Sequence, residues 1–167
     1  MKTILFALLA IVALGGLLFA YGASLPGQVQ SVRAHTLKAP VSQVYGLVTD
    51  VGGQARWRSD VGAVSVEDGG RRWTEETKQG VLIAFEEIER TPPSRFEIAF
   101  ASPQGFSGRW IGVFESAPDG TTRVTFTETV RTESPIGRLM QRVLAPPGAH
   151  IDRYIQDLDA ALQATPG

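Results

Sequence analysis

The stretch AHIDRYIQDLDAAL at residues 149–162 decides the fold. Ile151, Ile155, Leu158 and Leu162 stand at i, i+4, i+7 and i+11, which gathers them into one apolar stripe along a helix. A stripe of that width needs a broad surface to lie on, and the sequence upstream supplies it. Between Val61 and Arg131 the apolar period changes to two. Phe96, Ile98 and Phe100 share one face of a strand, as do Trp110, Gly112 and Phe114, and then Val124, Phe126 and Val130. Turn chemistry separates the runs at Asp68-Gly69-Gly70, Gln79-Gly80, Pro92-Pro93, Gln104-Gly105 and Pro118-Asp119-Gly120, and short connections of this kind build an antiparallel meander. A single curved sheet with one apolar face must be covered, and the striped helix is the element long enough to cover it.

Ahead of the meander, Val29 to Leu37 reads as a further strand, which brings the sheet to about seven. Ala39-Pro40 then opens an amphipathic helix with Val41, Val44, Tyr45 and Val48 on one side, closed by the turn at Thr49-Asp50-Val51-Gly52-Gly53. A short helical turn is expected over Gln54 to Trp57. After the meander, Ser134-Pro135 is an N-cap followed by proline at the first helical position, and helical spacing runs through Ile136, Leu139, Met140 and Val143. Proline inside a helix removes a hydrogen bond and clashes one turn back, at about 3 kcal/mol. Pro146-Pro147-Gly148 therefore predicts a C-terminal helix kinked or broken at that point. The class is α+β.

The N-terminus is a separate problem. Ile4 to Tyr21 is an uninterrupted apolar and glycine stretch, preceded by Lys2 and followed by no charge until Arg33. Its helical length of roughly 27 Å is enough for a bilayer core and favours a retained anchor, while Ala20 and Gly22 at the spacing read by signal peptidase keep a cleaved signal open. The expected organisation is an anchor or signal over residues 1–22, a linker over 23–28 containing Pro26 and Gly27, and one domain over 29–167. Lys2 holds the N-terminal end in the cytoplasm under the positive-inside rule. That places the domain on the periplasmic or outer side of a bacterial inner membrane, with the cytoplasmic membrane itself as a partner. A net charge of −1 gives no bulk attraction for nucleic acid, and the absence of cysteine excludes disulfides, thiolate chemistry and cysteine-ligated zinc.

Five local patterns carry a family resemblance: Ala39-Pro40-Val41 with Val44-Tyr45; Asp50 followed by Trp57; Trp73-Thr74-Glu75 ahead of Gly80; Pro92-Pro93-Ser94-Arg95; and Thr127-Glu128 leading into Ser134-Pro135-Ile136-Gly137-Arg138. In this order the chain resembles the SRPBCC superfamily (START and Bet v 1-like), and its polyketide cyclase/dehydrase-type branch in particular, over nearly all of Val29 to Ala164. The resemblance implies a helix-grip fold enclosing an apolar cavity between helix and sheet. On that basis Trp57, Trp73, Phe96, Ile98, Phe100, Trp110, Phe114, Phe126, Tyr154 and Leu158 are the expected lining, and a hydrophobic small molecule (a lipid, polyketide or other lipophilic metabolite) is the expected ligand. No cofactor is implied. The proline break departs from the family pattern and puts the shape of one cavity entrance in question.

Two carboxylates fall on apolar faces: Glu75, two residues past Trp73, and Glu128, two past Phe126. Buried acids of this kind suit general acid-base work, or else need cationic partners, for which Arg56, Arg72, Arg109 and Arg131 are available. His35 and His150 have no second ligand in a short motif, so no metal site is expected. Gly105-Phe106-Ser107-Gly108 lacks the Gly-x-Ser-x-Gly signature of a nucleophile elbow. Three function classes are open: a binder of a lipophilic molecule, a cyclase- or dehydratase-like enzyme using Glu75 and Glu128, and an envelope interaction domain with a vestigial cavity.

Overall fold

Period-two alternation produces one seven-stranded antiparallel sheet in the order β1-β7-β6-β5-β4-β3-β2 in the computed structural model, which describes residues 2–164. The strands are β1 (Gln28–Leu37), β2 (Val61–Glu67), β3 (Arg72–Thr77), β4 (Leu82–Thr91), β5 (Arg95–Ser102), β6 (Phe106–Ser116) and β7 (Thr122–Thr132). From β2 to β7 each strand pairs with the next, and β1 closes the far side by pairing with β7. The helices are α1 (Lys2–Ser24), α2 (Val41–Thr49), α3 (Pro135–Leu144) and α4 (Ala149–Ala164), with a short 3-10 helix over Val51–Arg56 between α2 and β2. This is the α+β helix-grip arrangement. Residues 165–167, assigned to the domain from sequence, lie outside the described residues.

Register explains how bulky rings fit on a strongly curved face. Phe96 stands opposite Gly112, which stands opposite Phe126; two rows on, Phe100 faces Gly108 and Gly108 faces Val130. A Cβ at Gly112 would lie 2.6 Å from the Trp110 ring, so only glycine lets that indole lie over the sheet. Trp110 there meets Phe126 at a ring separation of 4.9 Å and Tyr154 of α4 at 5.7 Å. Across this half of the concave face α4 buries Ile151, Tyr154, Ile155, Leu158 and Leu162, and α2 adds Val44, Tyr45 and Val48. Arg33 on β1 grips Asp152 through Nε and Nη2, at 2.7 and 3.2 Å, and fixes the first turn of α4 to the sheet edge.

The proline break is complete: α3 ends at Leu144 and α4 begins at Ala149. Gly148 has φ of 86° at the junction and is packed against the Arg33 guanidinium, a position that a side chain could not share. Ser134 caps α3 as its sequence suggests, its Oγ accepting from the Gly137 N–H at 2.9 Å. Unlike α4, α3 has no buried residue. Two boundaries differ from the sequence expectation. Helix α1 continues to Ser24, leaving 25–27 as the connection, because Ala23 and Ser24 are compatible with a helix that Pro26 then stops. Val51-Gly52-Gly53 opens the 3-10 helix instead of forming a plain turn, since the Asp50 side chain accepts from the Gly53 N–H at 3.2 Å and caps it.

Leu158 is fully buried between α4 and the sheet. Leu158→Ala is expected to cost about 2–5 kcal/mol in chemical denaturation; a cost within about 0.5 kcal/mol, the usual range for surface substitutions, would show that α4 does not grip the sheet there.

Candidate functional site

The row of residues Trp73, Phe85, Phe100, Gly108, Val130 and Val29 runs across six strands in register, from β3 to β1. On the α2 side of this row the concave face is packed. On the other side it is hollow, and α3 stands over the gap. The result is a cavity of about 590 Å³ between the sheet and α3. Val81, Ile83, Phe85, Phe100, Phe106 and Val130 form the sheet wall, and Met140, Leu144 and Pro146-Pro147 form the roof. A space of this size lined mainly by aliphatic and aromatic groups accommodates a small lipophilic molecule and offers little to a polar one.

Its two titratable groups stand together, and the rest of its polar lining (Ser31, Thr77, Gln79, Gln104, Thr132 and Gln141) is uncharged. Glu128 and His150 both line the cavity, with His150 Nδ1 2.9 Å from Glu128 Oε1. Behind them lies a buried cation, Arg58, whose Nη1 donates to Glu75 Oε2 at 2.8 Å and to Gln54 Oε1 at 2.7 Å. Its Nε and Nη2 fork onto Asp60 at 3.2 and 2.9 Å. The guanidinium also lies over the Tyr154 ring at 5.4 Å. Asp60 Oδ2 is shared, standing 3.5 Å from His150 Nε2. Burial alone would raise the Asp60 carboxyl, but the hydrogen bonds from His150 and Arg58 outweigh it and hold the group well below the usual carboxylate range. For His150, burial and the nearby Arg58 favour the neutral ring, while the hydrogen bonds to Asp60 and Glu128 prevail and lift it to about 9. At neutral pH the imidazolium therefore donates from Nδ1 to Glu128 and is ion-paired through Nε2 with Asp60, and the accessible part of its side chain opens onto the cavity. Burial also pushes the Tyr154 phenol upward, so it stays neutral.

Phe100 lines the cavity, as does Glu128. Trp73, Phe96, Ile98, Trp110, Phe114, Phe126, Tyr154 and Leu158 lie in the packed half of the concave face, and Trp57 rests against Tyr154 at 5.3 Å with its indole N–H buried and without an acceptor among the described residues. The correct face was legible; which end of it is hollow depends on where α2, α4 and α3 sit. Glu75 is also inward but does not reach the cavity. Arg58 and the Trp73 indole N–H, at 3.1 Å, occupy its two oxygens, and Arg58 and His150 stand between it and Glu128. The arginines expected as partners are engaged elsewhere: Arg56 with Asp50, Arg72 with Asp68, and Arg109 with Glu97, while Arg131 is exposed at the end of β7. The strand positions of Arg72, Arg109 and Arg131 point them to the outer face, and Arg56 ends the 3-10 helix. Arg58, Asp60 and His150 were missed because they lie on a loop and a helix start, where no periodicity reports direction. His35 takes no part.

A family profile described as polyketide cyclase / dehydrase and lipid transport matches residues 28–163. The chain belongs to this family. The solved structures it resembles include a START superfamily protein from Mycobacterium smegmatis, at 14% identity and a TM-score of 0.65, covering 81% of this chain and 99% of that one. A conserved protein from Geobacillus kaustophilus gives 13% identity, a TM-score of 0.68 and coverage of 81% and 96%. A protein from Rhizobium leguminosarum gives 19%, 0.58, and 83% and 96%. At these identities the likeness establishes the fold. No curated protein sequence matches the chain.

The raised His150 has a definite pH signature. A group whose folded pKa exceeds its unfolded value of 6.5 adds stability that is complete below about pH 6.5 and is lost as pH rises through about 9. Nearly half of the side chain is accessible, so the contribution is about 1–2 kcal/mol, less than the full shift would convert to. The denaturation midpoints of the wild type and His150→Gln should therefore differ most near neutral or acid pH and converge above pH 9; a difference that does not vary with pH would contradict the ion pairing.

Proposed function

We propose that this member of the family holds a lipophilic small molecule with an elongated apolar part, taken up at the outer face of the cytoplasmic membrane. The observation that carries this reading is the cavity of about 590 Å³, apolar over most of its wall and with Glu128 and His150 as its only titratable lining residues among those described. The apolar part of the ligand fills the space under α3. Glu128 retains an oxygen with no partner among the described residues and accepts from a ligand hydroxyl or amine, while His150 is held in place by its two carboxylates. The geometry gives no support to a Glu75–Glu128 acid-base pair, since Glu75 is turned away and fully engaged.

Two experiments test the reading. The full chain purified in a mild detergent should carry a lipophilic molecule visible by native mass spectrometry and solvent extraction. Ile83→Trp, which fills the hollow side of β4, should remove it while leaving the unfolding transition nearly unchanged; retention of the molecule by that variant would place the ligand elsewhere. For location, α1 is one helix long and apolar enough to cross a membrane. The domain should be digested by protease in spheroplasts and protected in intact cells; protection in spheroplasts would put it on the cytoplasmic side.

A further inference from the structure

Helix α3 combines three features that no packing requirement of the domain explains. Ile136, Met140, Val143 and Leu144 are 47%, 49%, 67% and 71% exposed on a helix of ten residues. Met140 and Leu144 belong to the roof of the cavity, with Pro146 and Pro147 continuing it, whereas Ile136 and Val143 do not line it. Such an apolar surface facing water on a short helix is costly, at roughly 25 cal/mol for each Å². The segment from Ser134 to Gly148 also contains no acid and two arginines, Arg138 and Arg142.

The third feature is position. Helix α3 packs against α1. Gly22 is the one buried residue of α1, and a Cβ there would collide with the Pro135 carbonyl oxygen, so the last turn of α1 and the first turn of α3 are in backbone contact. Arg138 reinforces the junction by donating to the carbonyl oxygens of Thr132 at 3.1 Å, Glu133 at 3.1 Å and Leu25 at 3.4 Å. The exit of α1 and the roof of the cavity are thus one rigid corner. If α1 spans a bilayer, this corner lies at the level of the headgroups.

We propose that α3 is seated in the lipid–water interface, with Ile136 and Val143 among the upper acyl chains and Arg142 at the phosphates, so that the roof of the cavity opens into the leaflet and the ligand is a membrane amphiphile that enters without crossing water. Exposed apolar residues, flanking cations without acids, and attachment to a membrane-spanning helix together suit an anionic bilayer surface. The proposal rests on the reading of α1 as a span and of the cavity as a lipid site.

The chain has no cysteine, so single labels are clean. The full chain carrying Val143→Cys or Asp119→Cys is labelled with the fluorophore NBD and reconstituted in vesicles of phosphatidylcholine and phosphatidylglycerol. Asp119 lies beyond the opposite end of β7, about 30 Å from α3. The label at 143 should be quenched several-fold more by headgroup-nitroxide lipid than the label at 119, and several-fold less by aqueous iodide. Equal iodide quenching at both sites would overturn the proposal. Protection at 143 from both quenchers would also overturn it, in favour of a second copy or another protein covering α3. Val143→Asp should slow loading of a dansyl-labelled fatty acid from vesicles several-fold and leave its affinity for the same probe added in water unchanged, because Val143 does not line the cavity. Lipid quenching at 143 without any fatty-acid binding would leave the docking intact and remove the ligand reading; fatty-acid binding with a water-exposed 143 would do the reverse.

Discussion

The buried guanidinium of Arg58 is the interaction on which the arrangement depends. A cation removed from water is tolerated only where geometry and additional hydrogen bonds repay its desolvation. Arg58 achieves this by drawing in Gln54 from the 3-10 helix, Glu75 from β3, and Asp60 from the loop just before β2, and by resting on the Tyr154 ring of α4. Gln54 and Asp60 are close neighbours of Arg58 in sequence, Glu75 is 17 residues on, and Tyr154 comes from the far end of the chain. Through Asp60 the network extends to His150, and through His150 to Glu128 on β7, which ties both sides of the curved sheet to the start of α4. The polar end of the cavity is the outermost layer of this network, so the groups that face a ligand are held by groups that never meet it.

Much of the fold was legible because alternation along a strand reports which face is buried, and the stripe Ile151, Ile155, Leu158 and Leu162 reports what lies against it. Proline at 146 and 147 announced the interruption correctly, since each removes a helical hydrogen bond and clashes one turn back. The site was less legible for a physical reason. Phe96 and Phe100 share one face of β5, yet Phe96 is packed and Phe100 borders open space. Nothing local distinguishes them; the difference comes from the helices above, and helix placement is a tertiary outcome. The same holds for the charges. Glu75 and Glu128 were found because they break an apolar pattern, whereas Arg58 and His150 break none, and their partners are separated from them by 17 and 22 residues.

The hollow half follows from the proline break. A continuous helix from Pro135 to Ala164 would be bound by the line of α4, which lies against the sheet. Once the chain turns at Pro146-Pro147-Gly148, α3 is free to leave that line and cover the space from a distance. The Arg33–Asp152 pair then keeps the turn from pulling α4 off its seat, because it fixes the sheet edge to the helix immediately after the break.

Stability and recognition are thereby assigned to different segments of one helix-forming region. The residues that hold the domain together sit on α4 and α2, and those that shape the roof sit on α3, which buries nothing. Substitutions in α3 can change the volume, entrance and chemical preference of the cavity at almost no cost to the core. A scaffold divided in this way is open to being retuned for a new ligand by altering a ten-residue lid, with the remainder of the protein left as it is.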